Sequence, residues 1–372
     1  MVRHLLSLFF FVFISVAYIH AQCNGDSAIC NKQYDHVVYV TTHNAFNYSG
    51  SFQAPNQTYP VSQQLQDGVR AFMLDVHDYF GVPTLYHGVF ALGTEPLEDV
   101  LIDIRDFMDQ NQNEVVTLIF ECYVSADDMD TVFTAAGLKP YLHEQSVTSP
   151  WPTLQEMINS DKRLVVLTDV DDASVGQEWY HYMWDYCVET HYTANSRADF
   201  SCDFNRGDSI NSLFILNNFI TSILGTGMID SATAINSNPY LLNRANQCMG
   251  EKGKLPNFLT VDFYEVGDVF DVKDNLNDNF TGMNQLNQIN NIDLYPNPVC
   301  PNTNLVVEFT FDRVIADVRI VDLTGKLCVV LPVNQIMGKI NIDTGKLDLG
   351  FYLLQFTNEN SVVDTRKFEV IQ

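Results

Sequence analysis

The sequence predicts an α/β fold, a TIM-like barrel of parallel strands, over its first two thirds, followed by a small all-β sandwich. Three observations carry that prediction. Short apolar runs alternate with helix-like segments, and several runs are continuously apolar, as in strands buried on both faces. A polar residue stands at or just beyond the C-terminal end of each run: His43 and Asn44, Asp75, His87, Glu121, Asp169, Asn217 and Asp262. In a barrel of parallel strands those ends converge on one mouth. No GxGxxG and no P-loop follows any run, which disfavours a doubly wound sheet.

The elements are justified in chain order. Arg3 and His4 precede an apolar stretch from Leu5 to Tyr18, and a small residue, Ala21, closes it, so residues 1–21 read as a secretory signal peptide. The barrel is expected over residues 22–273, with strands at His36–Thr42, Val69–Asp75, Thr84–His87, Val115–Glu121, Arg163–Asp169, Leu213–Asn217 and Phe258–Phe263. Helical patterns lie between them at Val61–Gln66, Pro96–Gln110, Asp127–Ala136, Thr153–Asn159 and Glu178–Thr190. Pro96 followed by Glu98 and Asp99 suits a helix start, with acids at the positive end of the dipole. Residues 274–294 are polar and Asn-rich and read as a linker. Residues 295–372 show alternating strands at Leu305–Phe311, Asp317–Asp322, Leu327–Leu331, Lys339–Asp343, Phe351–Thr357 and Thr365–Val370. Leu323-Thr324-Gly325-Lys326 reads as a hairpin turn.

Secretion makes the cysteines interpretable. Cys23 and Cys30 are near enough to staple the mature N-terminus, and Cys202 with Cys248 forms a plausible second pair. Cys122 and Cys187 either pair or stay as buried thiols, and Cys300 and Cys328 are candidates to pair in the tail. The net charge of −26 lies almost entirely before Tyr295. It argues against nucleic acid, which needs Lys and Arg patches, and against electrostatic docking on anionic membranes.

The polar residues at the mouth suit phosphodiester cleavage. That reaction needs a base for a hydroxyl or water, an acid for the leaving oxygen and positive charge near the phosphoryl oxygens. His43 and His87 can divide the acid and base work, because imidazole titrates near neutrality. The positive charge can come from an arginine, with Arg70 the candidate, or from a metal. Asn44, Asp75 and Glu121 are the hard oxygen ligands that Ca²⁺ or Mg²⁺ prefers. Zinc spacing and a G-x-S-x-G elbow are both absent.

His43-Asn44, Gly68-Val69-Arg70 and His87-Gly88 together resemble the X region of the phosphatidylinositol-specific phospholipase C family. The resemblance continues through Pro96-Leu97-Glu98-Asp99-Val100, Phe107-Met108, Asn111 and Glu114 to Leu118. Cys23-Asn24-Gly25, Trp151-Pro152-Thr153-Leu154, Arg163 to Val166, and Pro256-Asn257-Phe258 with Val261 to Tyr264 are similar to a secreted subgroup of that family. The tail resembles the C-terminal sorting domain of the type IX secretion system of Bacteroidetes. The residues that carry this are Leu294 to Pro298, Val318 to Lys326, Gly338, Ile340 to Asp343, Leu349 to Tyr352 and Arg366 to Phe368.

The first resemblance implies a secreted phosphoric diester hydrolase acting on phosphatidylinositol, a related inositol phospholipid or a glycosyl-phosphatidylinositol anchor. His43 would be the base on the inositol hydroxyl beside the phosphate, His87 the acid for the departing diacylglycerol oxygen, and Asp262 the group that orients an imidazole. Asn44, Asp75 and Glu121 match positions that hold calcium in the calcium-dependent members, so Ca²⁺ is the expected cofactor. Those members usually carry a second acid two residues before the Asp75 position; here it is Met73, with Asp78 the nearest replacement. The second resemblance implies export to the cell surface or medium and a partner in the type IX machinery. Phe46, Tyr79, Phe80 and Phe90 lie near the strand ends and are candidates for peripheral membrane contact, and a monomer is expected. The alternatives are another glycerophosphodiester or a sphingolipid as substrate, and a non-catalytic barrel that binds a headgroup or glycan.

Overall fold

The protein is described by a computed structural model covering residues 22–171, 177–221, 227–279, 291–301, 303–358 and 362–371. The signal peptide expected at 1–21 lies outside the described residues. The strands of the first domain are β1 (Tyr39–Thr42), β2 (Ala71–Tyr79), β3 (Val82–Leu85), β4 (Glu95–Pro96), β5 (Val116–Tyr123), β6 (Leu164–Thr168), β7 (Tyr180–Tyr182), β8 (Cys187–Thr190), β9 (Phe204–Arg206), β10 (Leu213–Asn217) and β11 (Phe258–Val261). The helices are α1 (Val61–Gln66), α2 (Leu97–Gln110), α3 (Ala126–Ala135), α4 (Leu154–Asn159), α5 (Ile229–Asn236), α6 (Tyr240–Lys252) and α7 (Val269–Asn279).

The ladder runs β7-β6-β5-β2-β1-β11-β10-β8, parallel at every joint. The last strand, β11, pairs with the first, with Thr41 opposite Thr260 and Thr42 opposite Val261. The expected barrel is therefore present. Its ladder is open at one place, between β7 and β8. A single 3₁₀ turn (Met183–Asp185) joins these two, and a parallel crossover needs a dozen residues or more. The chain instead steps from the β6 edge to the β10 edge.

Period-two alternation sorts the strand residues into two cores. Tyr39, Ala71, Ile119, Val165, Leu167, Ile215 and Phe258 fill the lumen, with Tyr34 and Trp151 packed among them. Phe72, Leu74, Leu118, Phe120, Val166, Leu216 and Leu259 face outward onto the helices. Against them α2 buries Leu97, Val100, Leu101, Ile104, Phe107 and Met108, each worth about 1.5–3 kcal/mol of gross burial. Caps fix the helix starts: Ser125 Oγ accepts from Asp128 N before α3, and Thr153 with Glu156 forms a capping box on α4. The N-terminus and the β9–α6 region are tied by the disulfides Cys23–Cys30 and Cys202–Cys248. Cys122 and Cys187 are buried thiols, and Cys300 and Cys328 are exposed and unpaired with each other.

Three expected elements are corrected. Thr84–His87 is not a barrel strand: residues 82–85 return antiparallel along β2. Phe80 and Gly81 both take positive φ (54° and 84°), which is the two-residue hairpin turn that favours tight reversal. Glu178–Thr190 is not a helix but the β7–β8 path. Trp179, Tyr180, Met183 and Cys187 fall at helical spacing, while each strand piece is too short to show its own alternation. The linker expected at 274–294 begins later, because α7 runs to Asn279 and buries Leu276 and Asn277. Asn277 pins that helix to the start of β1, its Oδ1 accepting from Val38 N and its Nδ2 donating to Val38 O.

In the second domain the strands are β12 (Asn291–Tyr295), β13 (Asn304–Asp322), β14 (Leu327–Asp343), β15 (Gly350–Thr357) and β16 (Val362–Val370). Pairs of expected strands are merged in β13 and β14, which continue through bulges. The halves of β13 share one core, where Phe309 and Phe311 meet Phe356 with ring centroids 5.5 and 4.9 Å apart. The expected turn after Asp322 forms, with Asp322 Oδ1 accepting from the backbone of Thr324 and Lys326.

His181 on β7 yields a pH prediction. Its Nδ1–H donates to Val166 O (3.0 Å) and its Nε2 accepts from Gln145 N (2.9 Å), so the ring is built in as neutral. Burial lowers its pKa to about 4. A histidine held below its unfolded value of about 6.5 contributes stability that is full above that value and is lost as pH falls through the folded value. Urea unfolding at pH 7 and pH 4 should show a loss of about 3 kcal/mol from this group. In His181→Asn the difference between the two pH values should shrink by that amount.

Candidate functional site

The alternation that packs the lumen also builds the mouth. Beyond the apolar layers, the inward positions carry His43 after β1, Asp75 on β2, Glu121 on β5, Asp169 after β6, Glu189 on β8, Asn217 on β10 and Asp262 after β11. A cleft of about 510 Å³ opens there. Its lining includes His43, Asn44, Asp75, His87, Glu121, Asp169, Glu189, Arg206, Asn217 and Phe219. This is the C-terminal end of the strands, where a barrel collects its functional side chains.

Each of the two histidines is held by a carboxylate. His43 Nδ1 lies 2.9 Å from Asp262 Oδ1. A carboxylate only accepts, so Nδ1 carries the proton and Nε2 is the free base nitrogen. Asp262 is buried, and Asn56 Nδ2 donates to both its oxygens at 3.2 and 3.3 Å. Phe219 stacks flat on the His43 ring, with centroids 3.8 Å apart and planes 6° apart. His87 Nδ1 donates to Asp75 Oδ2 at 2.8 Å. That hydrogen bond is the largest cause of a raised His87 pKa, opposed by burial. The two rings stand 6.5 Å apart, centroid to centroid, and nearly edge to face.

Of the expected metal ligands, Asp75 and Glu121 are register partners on β2 and β5, and Asn44 lies beside them. Asn44 takes φ +46°, a left-handed conformation that asparagine tolerates better than most residues. Met73 also lines the cleft, one inward position below Asp75, and brings no hard donor. Asp78 accepts from Gly81 N in the β2–β3 turn instead of replacing it. Two carboxylates and a carboxamide match a hard cation in donor chemistry, although they are fewer than the six to eight oxygens Ca²⁺ takes. Among the described residues, no three His, Cys, Asp or Glu side chains form a metal site by themselves.

Arg70 is not brought to the cleft, and its expected catalytic role is corrected. It precedes β2 at the opposite end of the barrel, about 16 Å along the strand from Asp75. There its Nε donates to Glu114 at 2.6 Å and its Nη1 to the Leu65 and Val69 carbonyls. The Gly-x-Arg pattern carries a fold contact.

Sequence reasoning missed the Glu189–Arg206 pair, Asn56 and Phe219. Arg206 lies opposite Glu189 on the antiparallel strand β9 and donates to it through Nε at 2.5 Å. Asn217 Nδ2 donates to the other Glu189 oxygen at 3.1 Å. The guanidinium is also held over the rings of Trp184 and Tyr192. Gly207 permits this hairpin, since a Cβ there would stand 2.0 Å from the Cys187 carbonyl oxygen. Among the described residues, Arg206 is the one Lys or Arg that lines the cleft, together with Asp75, Glu121, Asp169 and Glu189. The alternation of Val188-Glu189-Thr190 was a usable signal for Glu189; nothing local marks Phe219.

Comparison with known proteins places this site in a family. The PI-PLC X 1 family description matches residues 29–277, two thirds of the chain. The chain belongs to the PI-PLC X family. A secretion-system C-terminal sorting domain matches residues 293–371, which indicates type IX secretion to the cell surface or the extracellular space. A PI-PLC X domain-containing protein of Arabidopsis thaliana is 30% identical over 69% of this chain and 65% of its own length. An uncharacterized secreted protein of Arthroderma benhamiae is 28% identical over 66% of this chain and 61% of its own length. The chain thus spans less than two thirds of these two relatives. Among solved structures, phosphatidylinositol-specific phospholipase C of Staphylococcus aureus aligns with a TM-score of 0.47 at 13% identity, over 68% of this chain and 95% of that one.

The buried Glu189 supplies a stability test of the site. Arg206→Met leaves its carboxylate without the guanidinium, which should cost about 3 kcal/mol in urea unfolding. Glu189→Gln in the same chain should recover most of that loss.

Proposed function

We propose that this PI-PLC X protein is a phosphoric diester hydrolase that cleaves phosphatidylinositol, or a related inositol phospholipid or glycosyl anchor, by acid–base catalysis with His43 and His87. The observation that carries the reading is the pair of imidazoles at one cleft, each with Nδ1 held by a carboxylate and Nε2 left for the substrate. His43 Nε2 takes the proton from the inositol hydroxyl beside the phosphate. That oxygen attacks phosphorus, and the bond from phosphorus to the glycerol oxygen breaks. His87, kept cationic to higher pH by Asp75, gives its proton to the leaving oxygen. The products are diacylglycerol and a cyclic phosphodiester, which water opens with the two histidines in exchanged roles.

The carboxylates in the mouth outnumber its arginine, so an anionic phosphate needs further positive charge. Asn44, Asp75 and Glu121 would hold Ca²⁺, which supplies that charge beside the phosphoryl oxygens when bound. Contact with the lipid surface is assigned to the rim beside His87. Phe80 is 92% exposed, Phe90 is exposed, and Tyr79 packs against both with ring centroids 4.8 and 5.7 Å away. Apolar insertion suits a chain whose charge of −26 gives no attraction to anionic headgroups. Phe46 is buried and makes no part of this surface.

Two measurements test the reading. Phosphatidylinositol hydrolysis should require Ca²⁺, be lost with a chelator, and fall by at least about 10³-fold in both His43→Ala and His87→Ala. A folded wild-type protein with no turnover on any inositol lipid would reject it in favour of another phosphodiester or a binding role. For the rim, Phe80→Ser should weaken sedimentation with phosphatidylcholine vesicles about tenfold. Its rate on a monomeric short-chain substrate should stay unchanged.

A further inference from the structure

We propose that Asn56 is a positioning residue that decides which atom of Asn44 faces the cleft, by passing on the polarity of Asp262 through a directed chain of hydrogen bonds. The proposal rests on the reading of His43, Asp262 and Asn44 as site residues. It adds a residue outside the cleft lining and gives it a definite task.

The chain of bonds starts at Asp262, whose carboxylate can only accept. Asn56 faces both of its oxygens, at 3.2 and 3.3 Å, and must therefore present Nδ2 to them. The carboxamide has one other polar atom. Its Oδ1 points the opposite way and only accepts, taking Asn47 Nδ2 at 2.8 Å and Asn44 Nδ2 at 3.2 Å. Asn44 is thereby held with its nitrogen toward Asn56. Its oxygen is left for the cleft that it lines.

Asn44 by itself would not settle this. A carboxamide turned through 180° has the same shape, so only its partners choose between oxygen and nitrogen at a given point. An oxygen turned to the cleft offers a lone pair to a hard cation, whereas a nitrogen would repel one. The orienting acid of His43 and the candidate cation ligand Asn44 are thus set by one buried amide. All three groups are nearly inaccessible to solvent, so water does not substitute for a lost bond: Asn44 and Asn56 are each 1% exposed and Asp262 is 3% exposed.

Asn56 is held in place without its side chain. Its backbone N–H donates to Asn47 O at 2.9 Å, and its carbonyl accepts from Phe263 N at 2.9 Å. The loop that carries it is also stitched to the barrel by Gln57, whose Nε2 donates to the His43 and Val261 carbonyls at 2.7 and 3.1 Å. Removing the Asn56 carboxamide therefore tests the relay rather than the loop.

The test is Asn56→Ala, read by nuclear magnetic resonance without substrate or metal. Wild-type protein should show His43 as a single tautomer with Nδ1 protonated, and an Asn44 carboxamide protected from solvent exchange. In the folded variant, the Asn44 carboxamide protons should exchange roughly tenfold or more faster, while the His43 ring, still facing Asp262, should keep its proton on Nδ1. Turnover on phosphatidylinositol should fall about 10–100-fold, the range for groups that orient a ligand. A folded Asn56→Ala protein with unchanged Asn44 protection would overturn the proposal. Because that readout needs no substrate, it separates failure of the relay from failure of the hydrolase reading. Should Asn56→Ala not fold, Asn44→Asp serves. A carboxylate at 44 cannot donate to Asn56 Oδ1 and competes with Asp262 for Asn56 Nδ2, so the Asn56 carboxamide protons should exchange roughly tenfold or more faster; an Asn56 carboxamide as protected as in the wild type would count equally against the relay.

Discussion

The register at which β11 meets β1 is the constraint on which the site depends. Thr41 stands opposite Thr260 and Thr42 opposite Val261, so the next residues on the two strands are His43 and Asp262. They are 219 positions apart in the chain and 2.9 Å apart in space. A slip of one residue would turn one of the two side chains out of the lumen, because the side-chain period of a strand is two. His43 N donates to Val261 O, and Gln57 Nε2 bonds the carbonyls of His43 and Val261 together. Closing the barrel and bringing His43 to Asp262 are therefore one event.

How much of this was legible in the sequence follows from the kind of signal each part leaves. Strands of a buried parallel sheet are continuous apolar runs, so β1, β5, β6, β10 and β11 could be read, and their C-terminal polar residues with them. His43, Asn44, Asp75, His87, Glu121 and Asp262 all stand at or beside the mouth as the strand-end pattern indicated. His87 reaches it by another route, as the residue two beyond the hairpin strand β3. The β7–β8 path was hidden because three- and four-residue strands carry too few positions to show a period, and their aromatic residues happen to fall three and four apart. Arg70 was misplaced for a different reason. It sits at the start of its strand, and motif proximity does not reveal which end of a strand a side chain occupies.

The charge of the molecule becomes intelligible at the cleft. Among the described residues lining the cleft, Asp75, Glu121, Asp169 and Glu189 share it with Arg206 as its one lysine or arginine. Burial raises the Asp169 pKa, with the Cys122 amide holding it partly in check. An acidic mouth repels multiply charged anions. It is also the electrostatic setting in which a divalent cation adds the most. The sorting domain, by contrast, has little net charge and a core of its own, and its sequence signals are spread along strands rather than gathered at a site.

The gap between β7 and β8 has a mechanical meaning. A fully laddered cylinder resists changes in girth, because widening it anywhere breaks hydrogen bonds. A cylinder split along one side can open like a cuff, held there by the short turn Met183–Asp185 rather than by a ladder of hydrogen bonds. The slit adjoins β8, the strand that carries Glu189 and leads to Arg206, and lies away from β1 and β2, which lead to His43 and carry Asp75. Bulk in a bound ligand can thus be absorbed on the compliant side, while the two imidazoles stay at the spacing the closed side imposes.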